Sequence, residues 1–163
     1  MDKSSVETII GSAKCSIPNS SLYYYGKGFF LEYVERKFKI ENLKRVEYGE
    51  KGQYLTAIYH FASKDLFMKQ HWLDEFEASD MGIFDEDIID GCVNYNTMFS
   101  EVRKVYCETA KSEYYREGES RAMVKGKFAF INKFIHWGTY TLFFEKNSSK
   151  AKLSGFEYVL KET

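Results

Sequence analysis

One group of histidine and acidic residues in this 163-residue chain is spaced for chemistry. His71 and Glu75 are four residues apart in a stretch of helical periodicity, with Asp74 beside them. Positions i and i+4 share a helix face, so the imidazole and the carboxylate could bind a divalent metal ion or act as a general base. A third ligand at a recognisable spacing is missing. The pattern therefore predicts catalytic roles for His71, Asp74 and Glu75 and no metal site, with His60 as another candidate base and an exposed ion pair as the alternative.

A second candidate site is aromatic. His136 stands beside Trp137 at the start of a strand-like segment, where its ring could cap an aromatic pocket or stack on a planar ligand. Phe, Tyr and Trp make up 18% of the residues. Ligand sites are mostly apolar with a few polar groups, although the same rings could simply fill a core. The predicted ligand-binding residues are Tyr95, Phe99, Phe128, His136, Tyr140 and Phe156.

Familiar nucleotide and nucleophile motifs are absent from the sequence. Tyr23–Gly28 carries two glycines ahead of a predicted helix, but neither G-x-G-x-x-G nor G-x-x-x-x-G-K-[ST] occurs. No G-x-S-x-G is present either. The three cysteines form no C-x-x-C pair, and their odd number fits a reducing compartment. The sequence thus indicates no particular cofactor.

Charge and hydropathy limit the classes of partner. The formal net charge of −1 argues against nucleic-acid binding. Between Lys69 and Arg103 nine acidic residues occur without a Lys or Arg, which favours either a solvated segment or a surface for a basic partner or a homodimer. No apolar run approaches 18 residues and no signal-peptide pattern opens the chain, so we expect no membrane contact and a cytoplasmic location.

Several elements are predicted ahead of the C-terminal region. Helical spacing of apolar residues predicts a short opening helix around Val6 and a second helix from Phe29 to Phe38. Two extended runs, residues 43–48 and 53–61, flank a loop at residues 49–52 and predict a β-hairpin. Two more helices follow, one from Ser63 to Phe76 and a long one from Asp85 to Tyr106.

The last forty residues show the clearest pattern in the chain. Apolar residues alternate with polar ones in three short runs: Val124, Phe128 and Phe130; Tyr140, Leu142 and Phe144; Phe156, Tyr158 and Leu160. A period of two buries one face of a sheet, and residues 132–133 and 147–150 supply turn chemistry. The pattern predicts a three-stranded antiparallel meander with an aromatic face.

Together these elements predict a single α+β domain over residues 1–163, with helices packed on one face of a mainly antiparallel sheet. The order of a hairpin, helices and a closing meander resembles that of PAS-type sensor domains. It is also similar to the cone of the nuclear-transport-factor-like superfamily. Both resemblances rest on element order, and fold does not determine function.

Three functional hypotheses follow. The first is a non-enzymatic domain that senses a small apolar or aromatic ligand, or binds a protein, through an aromatic-lined core or pocket. The second, implied by the nuclear-transport-factor-like resemblance, is a dehydratase or isomerase using a His and carboxylate pair. The third is an assembly protein whose acidic segment, Asp74 to Asp90, meets a basic partner.

Overall fold

The chain is dominated by β-strands. The computed structural model describes residues 1–41, 46–63, 76, 78–88, 93–105, 110–114, 120–131, 135–144 and 148–161. Within these residues the two helices are α1, Lys3–Ile10, and α2, Phe99–Val105. The strands are β1 Cys15–Ser16, β2 Leu22–Gly26, β3 Phe29–Glu41, β4 Val46–Phe61, β5 Ala110–Tyr114, β6 Ser120–Ile131, β7 Ile135–Phe144 and β8 Leu153–Lys161.

Two antiparallel meanders join into one sheet of eight strands. The strand order is β1-β2-β3-β4-β8-β7-β6-β5, so the first meander runs inward to β4 and the second runs outward from β8. The junction pairs Ala57 with Val159 and His60 with Phe156. Residues at the centre of the sheet therefore come from distant parts of the sequence.

This architecture corrects the predicted α+β class. The described residues form mostly antiparallel sheet with two short helices, whereas the prediction required several helices packed against a smaller sheet. The PAS-like and nuclear-transport-factor-like element orders depended on those helices and are wrong with them. The antiparallel sheet itself is confirmed.

The helix predicted from Phe29 to Phe38 is instead strand β3. Phe30 packs on one face of the sheet, while Leu31 and Tyr33 pack on the other, and all three are buried. A strand covered on both faces is apolar at successive positions, which imitates helical spacing. Aromatic and β-branched residues also favour the extended conformation.

The β-hairpin predicted from residues 43–48 and 53–61 is wrong, because residues 46–61 form the single strand β4, which pairs with β3. Strand β4 continues through residues 49–52, pairing Lys51 with Lys37 and Gly52 with Arg36. The register between β3 and β4 shifts next to this point, between Lys37 and Lys39. Glycine inside a strand often marks such an irregularity rather than a turn.

The long helix predicted from Asp85 is wrong over most of its described length, because a turn interrupts it. Asn94 accepts hydrogen bonds through its side chain from Asn96 N (2.8 Å) and through its carbonyl from Thr97 N (3.0 Å). Asn commonly ends regular structure in this way. Helix α2 begins only after the turn, where the Glu101 carboxylate accepts from Met98 N at 2.7 Å.

The remaining helix predictions have different outcomes. Helix α1 is confirmed, and Asp2 caps it by accepting from Ser5 N at 2.9 Å. Only Val6 of its apolar residues is buried, whereas Ile9 is 71% exposed. The helix predicted from Ser63 to Phe76 lies almost entirely outside the described residues. Neither described helix is long and apolar enough to cross a lipid bilayer.

The C-terminal meander is confirmed as β6, β7 and β8. Tyr140, Leu142 and Phe156 are buried on one face, as the alternation predicted. This helix-covered face, which also carries Leu31, Ile58 and His60, packs against α1 and residues 84–88 and 93–102. The opposite face carries Phe30, Phe61 and Phe143 and is covered at one end by Ile17, Phe76, Ala78 and Met81.

Candidate functional site

His60 is the central polar residue of the helix-covered face. It lies on β4, is fully buried, and is enclosed by four aromatic rings. Its ring centroid lies 4.5 Å from that of Phe29, 4.9 Å from Phe84, 5.3 Å from Tyr95 and 5.6 Å from Phe156. Alternation along β4 places the imidazole inward.

Both nitrogens of His60 are occupied by hydrogen bonds. Nε2 lies 2.8 Å from the carbonyl oxygen of Lys27, which can only accept, so Nε2 carries the proton. In the neutral ring Nδ1 is then the acceptor, and it receives the Tyr95 hydroxyl. Burial lowers the pKa of His60 from 6.5 to about 4, and the bond to Lys27 opposes this shift only in part.

This arrangement gives His60 a structural role. Its ring connects the β2–β3 turn and strand β4 with Phe84 and Tyr95, two residues that cover this face of the sheet. A general base needs a free nitrogen within reach of substrate. His60 would have to break one of its two bonds before it accepted a proton from a substrate.

The residues predicted to bind a ligand are divided by the structure. Tyr95, Phe99, Tyr140 and Phe156 share one buried cluster, where at most 6% of any of them is exposed. The ring centroids of Tyr95 and Phe156 lie 6.5 Å apart with the rings tilted at 48°, and these side chains fill the volume assigned to a pocket. The structure brings them together as core, and their ligand-binding role stays a prediction.

The other predicted site residues are located only in part. Backbone pairing places Phe128 opposite Gly138 and His136 opposite Phe130 in the second meander, and their side chains lie outside the described part. His71, Asp74 and Glu75 lie outside the described residues altogether. The proposed catalytic pair therefore stays a prediction.

Asp80 anchors residues 78–88 to the β2–β3 turn. Its carboxylate accepts hydrogen bonds from Lys14 Nζ at 2.7 Å, from Lys27 N at 3.0 Å and from the Tyr24 hydroxyl. The bonds from Lys14, Tyr24 and Lys27 hold the pKa of Asp80 well below its usual range. Burial, followed by the bond to Asp80, raises the pKa of Tyr24 to about 12. This one acid of the acidic segment thus serves an internal contact.

We expect Asp80→Asn to lower the free energy of unfolding by about 1 kcal/mol, because three bonds to a charged group become bonds to a neutral one. We expect this loss to be small because the Asp80 side chain is 34% exposed, so solvent screens its charge. Urea unfolding beside Asp85→Asn, an exposed carboxylate in the same segment, provides the control. Equal stability of the two variants would contradict the anchoring role.

A tyrosine network fixes α1 to the sheet. The Tyr25 hydroxyl donates to Glu7 Oε1 at 3.1 Å and lies 2.7 Å from the Tyr33 hydroxyl. Lys3 pairs with Glu7 at 2.9 Å and lies over the Tyr23 ring. A shallow groove runs beside it, open to solvent and lined by Asp2, Lys3, Ser4, Glu7, Thr8, Ser12, Gly52 and Gln53. The network's hydroxyls bond to one another and to Glu7, which indicates a packing role.

The opposite face of the sheet carries a different kind of cluster, which we call the polar strip: Glu32, Tyr59, Thr141 and Glu157. Tyr59 on β4 pairs with Glu157 on β8, which pairs in turn with Thr141 on β7. Directly paired residues have side chains on the same face, with Cβ atoms about 5 Å apart. Glu32 is on β3, in the next row of this face. Its carboxylate accepts from the Thr56 hydroxyl at 3.1 Å.

Thr141 is the unusual member of the strip. The residue is 7% exposed, and its hydroxyl makes no hydrogen bond with any residue that the structure describes. Glu157 directly opposite it is half-buried, as are Tyr59 on the next strand and Glu32 on the strand beyond. A buried hydroxyl without a partner costs about 1–3 kcal/mol by mutational data. The strip therefore combines one buried hydroxyl that has no partner among the described residues with three half-buried polar side chains.

Tyr59 carries a proton at any physiological pH. Burial raises the pKa of its hydroxyl, and the charges of Glu157 and Glu32 raise it further. Both carboxylates therefore act on the same hydroxyl. The strip combines a neutral phenol, a hydroxyl and two carboxylates on one sheet face.

Comparison with protein-family models, curated proteins and solved structures finds no match to this chain. Within the described ranges, no group of three His, Cys, Asp or Glu side chains is placed to bind a metal ion.

The sequence analysis did not identify the polar strip. Alternation assigned Thr141 and Glu157 to the outer face of the meander, where polar residues are ordinary. Only the pairing of β4 with β8 brings Tyr59 beside them. The available signal was Thr141 itself, a polar residue two positions before Phe143 on the same strand. Such a signal has no specificity alone.

Proposed function

We propose that this chain is a non-enzymatic binding domain that takes a small molecule on the polar strip. The observation that carries the proposal is the buried hydroxyl of Thr141, which has no hydrogen-bond partner among the described residues. Buried polar groups are almost always hydrogen-bonded, and an exception needs a cause. A ligand group that bonds to Thr141 Oγ1 supplies one.

The surroundings of Thr141 suit a small ligand. Glu157 lies directly opposite Thr141, and Tyr59 comes next in the same row. Both are half-buried, whereas the neighbouring Phe30, Phe61 and Phe143 are at most 8% exposed. Binding sites commonly combine apolar surroundings with a few polar groups that orient the ligand. Glu157 and Tyr59 are the orienting groups here.

The proposal retains the first functional hypothesis but moves its site. The aromatic cluster around Tyr95 and Phe156 is filled by the chain's own rings, whereas the polar strip offers groups at partial exposure. The enzyme hypothesis loses support for one of its candidate bases, because both nitrogens of His60 are bonded. The assembly hypothesis loses Asp80 as a free contact.

Thr141→Val separates binding from stability. Valine has the same shape without the hydroxyl, so we expect the free energy of unfolding to rise by about 1 kcal/mol and the melting temperature by about 2–4 °C. Binding of fragments that donate or accept hydrogen bonds should weaken by about tenfold or more. Thermal unfolding and ¹H–¹⁵N NMR titration with a small fragment panel measure the two effects.

Thr8→Val is the matched control, since Thr8 is an exposed residue of α1. It should leave fragment binding unchanged. If Thr141→Val destabilises the fold, the hydroxyl has a structural partner and the proposal loses its basis. If no fragment binds in a manner that depends on Thr141, the proposed function is wrong.

A further inference from the structure

We propose that the β2–β3 turn is a binding site for a phosphate dianion, either free or as a monoester, and that Asp80 closes this site from within the chain. The site shares no residue with the polar strip and does not depend on the proposed function. Phosphate and the Asp80 carboxylate would occupy the same position, so each excludes the other.

Three hydrogen-bond donors converge on one position at this turn. Lys14 Nζ and the Lys27 amide lie 2.7 and 3.0 Å from the same carboxylate oxygen of Asp80. The Tyr24 hydroxyl donates to the other oxygen. Lysine ammonium groups and backbone amides are the usual partners of phosphate oxygens. The Asp80 carboxylate therefore marks the position that a phosphate group would take.

The backbone of the turn is shaped to hold an anion. Gly26, Lys27 and Gly28 all have positive φ, and the Lys27 amide faces the Asp80 carboxylate. Successive residues in such conformations form concavities that bind anions through their N–H groups. A Cβ on Gly26 would lie 2.8 Å from Lys14 Nζ and 3.2 Å from the Asp80 carboxylate. A larger residue at position 26 would therefore displace the ammonium group from the site.

Tyr24 supplies a donor that is fixed in place. Its side chain is buried, with its ring centroid 4.8 Å from those of Phe30 and Phe76. Gly28 N donates to its hydroxyl oxygen at 3.1 Å, so the hydroxyl proton remains for the anion. Burial, more than the bond to Asp80, raises the pKa of Tyr24 to about 12, and the hydroxyl keeps its proton at neutral pH.

The charge of the site favours a dianion over a single carboxylate. Lys14 and Lys27 bring two positive charges to the turn, whereas Asp80 brings one negative charge. The Lys27 side chain is exposed and forms no ion pair within the part of the chain that the structure describes. The site already stabilises negative charge, because its bonds, chiefly that from Lys14, hold the pKa of Asp80 well below its usual range. A phosphate dianion would balance both lysines.

Asp80 is accessible to a competing anion. Its side chain is 34% exposed and that of Lys14 is 58% exposed, so solvent reaches and screens the pair. An incoming phosphate thus replaces a surface ion pair and does not have to open a buried core. Phe84, in the same stretch of residues 78–88, contacts the rings of Phe29 and His60. Release of Asp80 would therefore loosen the cover over His60.

Phosphate titration of Asp80→Ala beside the wild type tests the proposal. At pH 8 inorganic phosphate carries two negative charges, and we expect it to bind the full Asp80→Ala chain with a dissociation constant of about 1 mM. The wild type should bind about tenfold more weakly because Asp80 competes for the site. The ¹H–¹⁵N NMR signals of Lys27 and Gly28, followed at constant ionic strength, measure both affinities.

Glycerol 3-phosphate, titrated in parallel, identifies the form of the ligand. Tighter binding than that of inorganic phosphate indicates a monoester, and weaker binding indicates the free ion. Either result supports the site.

Matched variants locate the bound anion. Asp85→Ala removes an exposed carboxylate from the same stretch and should gain no phosphate binding. In the Asp80→Ala background, Lys14→Met should weaken phosphate binding by about tenfold or more. Lys150→Met, at an exposed turn residue, should leave it unchanged.

Three results would overturn the proposal. The first is equal affinity of Asp80→Ala and the wild type for phosphate. The second is binding to Asp80→Ala that Lys14→Met does not weaken, and the third is no binding of either probe to Asp80→Ala. Should Asp80→Ala fail to fold, Asp80→Asn, which keeps the shape of the side chain without its charge, replaces it in the same titrations.

Discussion

Gly28→Ala should lower the free energy of unfolding by about 4 kcal/mol, the largest effect that we expect from a single methyl group. Gly28 has φ +90° in the β2–β3 turn, where an L-residue is strained by about 1–3 kcal/mol. A Cβ there would lie 2.9 Å from His60 Nε2 and closer still to the Phe61 carbonyl oxygen. Overpacking a filled site adds about 1–3 kcal/mol.

The clash cannot be relieved by a side-chain rotation. The Gly28 carbonyl accepts from Phe61 N at 3.0 Å, and Gly28 N donates to the Tyr24 hydroxyl at 3.1 Å. Moving the turn away would break these bonds and the bond from His60 to Lys27. Urea unfolding monitored by circular dichroism measures the loss.

Gly11→Ala is the matched control for Gly28→Ala. Gly11 has φ +91°, almost the same value, but a Cβ at this position would have no neighbour within 4 Å. Its ψ of 169° places it in a region that is essentially restricted to glycine, so we expect a cost of about 1–3 kcal/mol from backbone strain alone. Equal losses for the two variants would show that the close approach of His60 and Phe61 to the turn contributes nothing.

The second large effect is a dependence of stability on pH that originates at His60. The folded state holds the pKa of His60 at about 4, against 6.5 when the ring is exposed. Between these values the unfolded chain binds more protons than the folded chain, so stability rises with pH across this window. The full contribution, about 3 kcal/mol, is present above pH 6.5 and is lost as the pH falls to 4.

Urea unfolding from pH 4 to pH 7 measures this dependence, and His60→Gln isolates it from the titration of carboxylates. The variant should be less stable at pH 7 but should show a shallower rise in stability between pH 4 and 6.5. NMR titration of the wild-type imidazoles gives a direct check. A ring of His60 that titrates near 6.5 would show that it is not enclosed as described.

Tyr95→Phe extends the test without removing the titrating group. It leaves His60 Nδ1 buried and without its donor, which we expect to cost about 1–3 kcal/mol at pH 7. The neutral form of His60 then loses a bond, so its pKa should move upward and the pH window should narrow. An unchanged window would mean that Tyr95 does not stabilise the neutral ring.

Local pattern was sufficient where polar residues separate the apolar residues of a strand. In the second meander Tyr140, Leu142 and Phe156 alternate with polar residues, and all three are buried. The pattern failed for β3, where Phe30 and Leu31 pack on opposite faces. Consecutive buried positions show no period of two. They are compatible with a strand only because other parts of the chain cover both faces of the sheet at β3.

The region predicted as one long helix, from Asp85 to Tyr106, shows a related limit of prediction from local pattern. The apolar stripe of the predicted long helix includes Tyr95, Phe99 and Val102, and all three are buried. The stripe was assigned to one long helix, whereas the turn at Asn94 breaks it before α2. Hydrophobic spacing records which residues are buried, but local hydrogen bonds of the Asn side chain compete with the helix backbone.

The sequence by itself determined the antiparallel character of the sheet, the opening helix and the aromatic composition of the core, since these depend on neighbours along the chain. Only the tertiary structure decided which residues could form a site. Tyr59 and Glu157 meet because β4 lies beside β8, and His60 is saturated because the β2–β3 turn brings Lys27 to it. Such contacts depend on strand order, which alternation within single strands cannot specify.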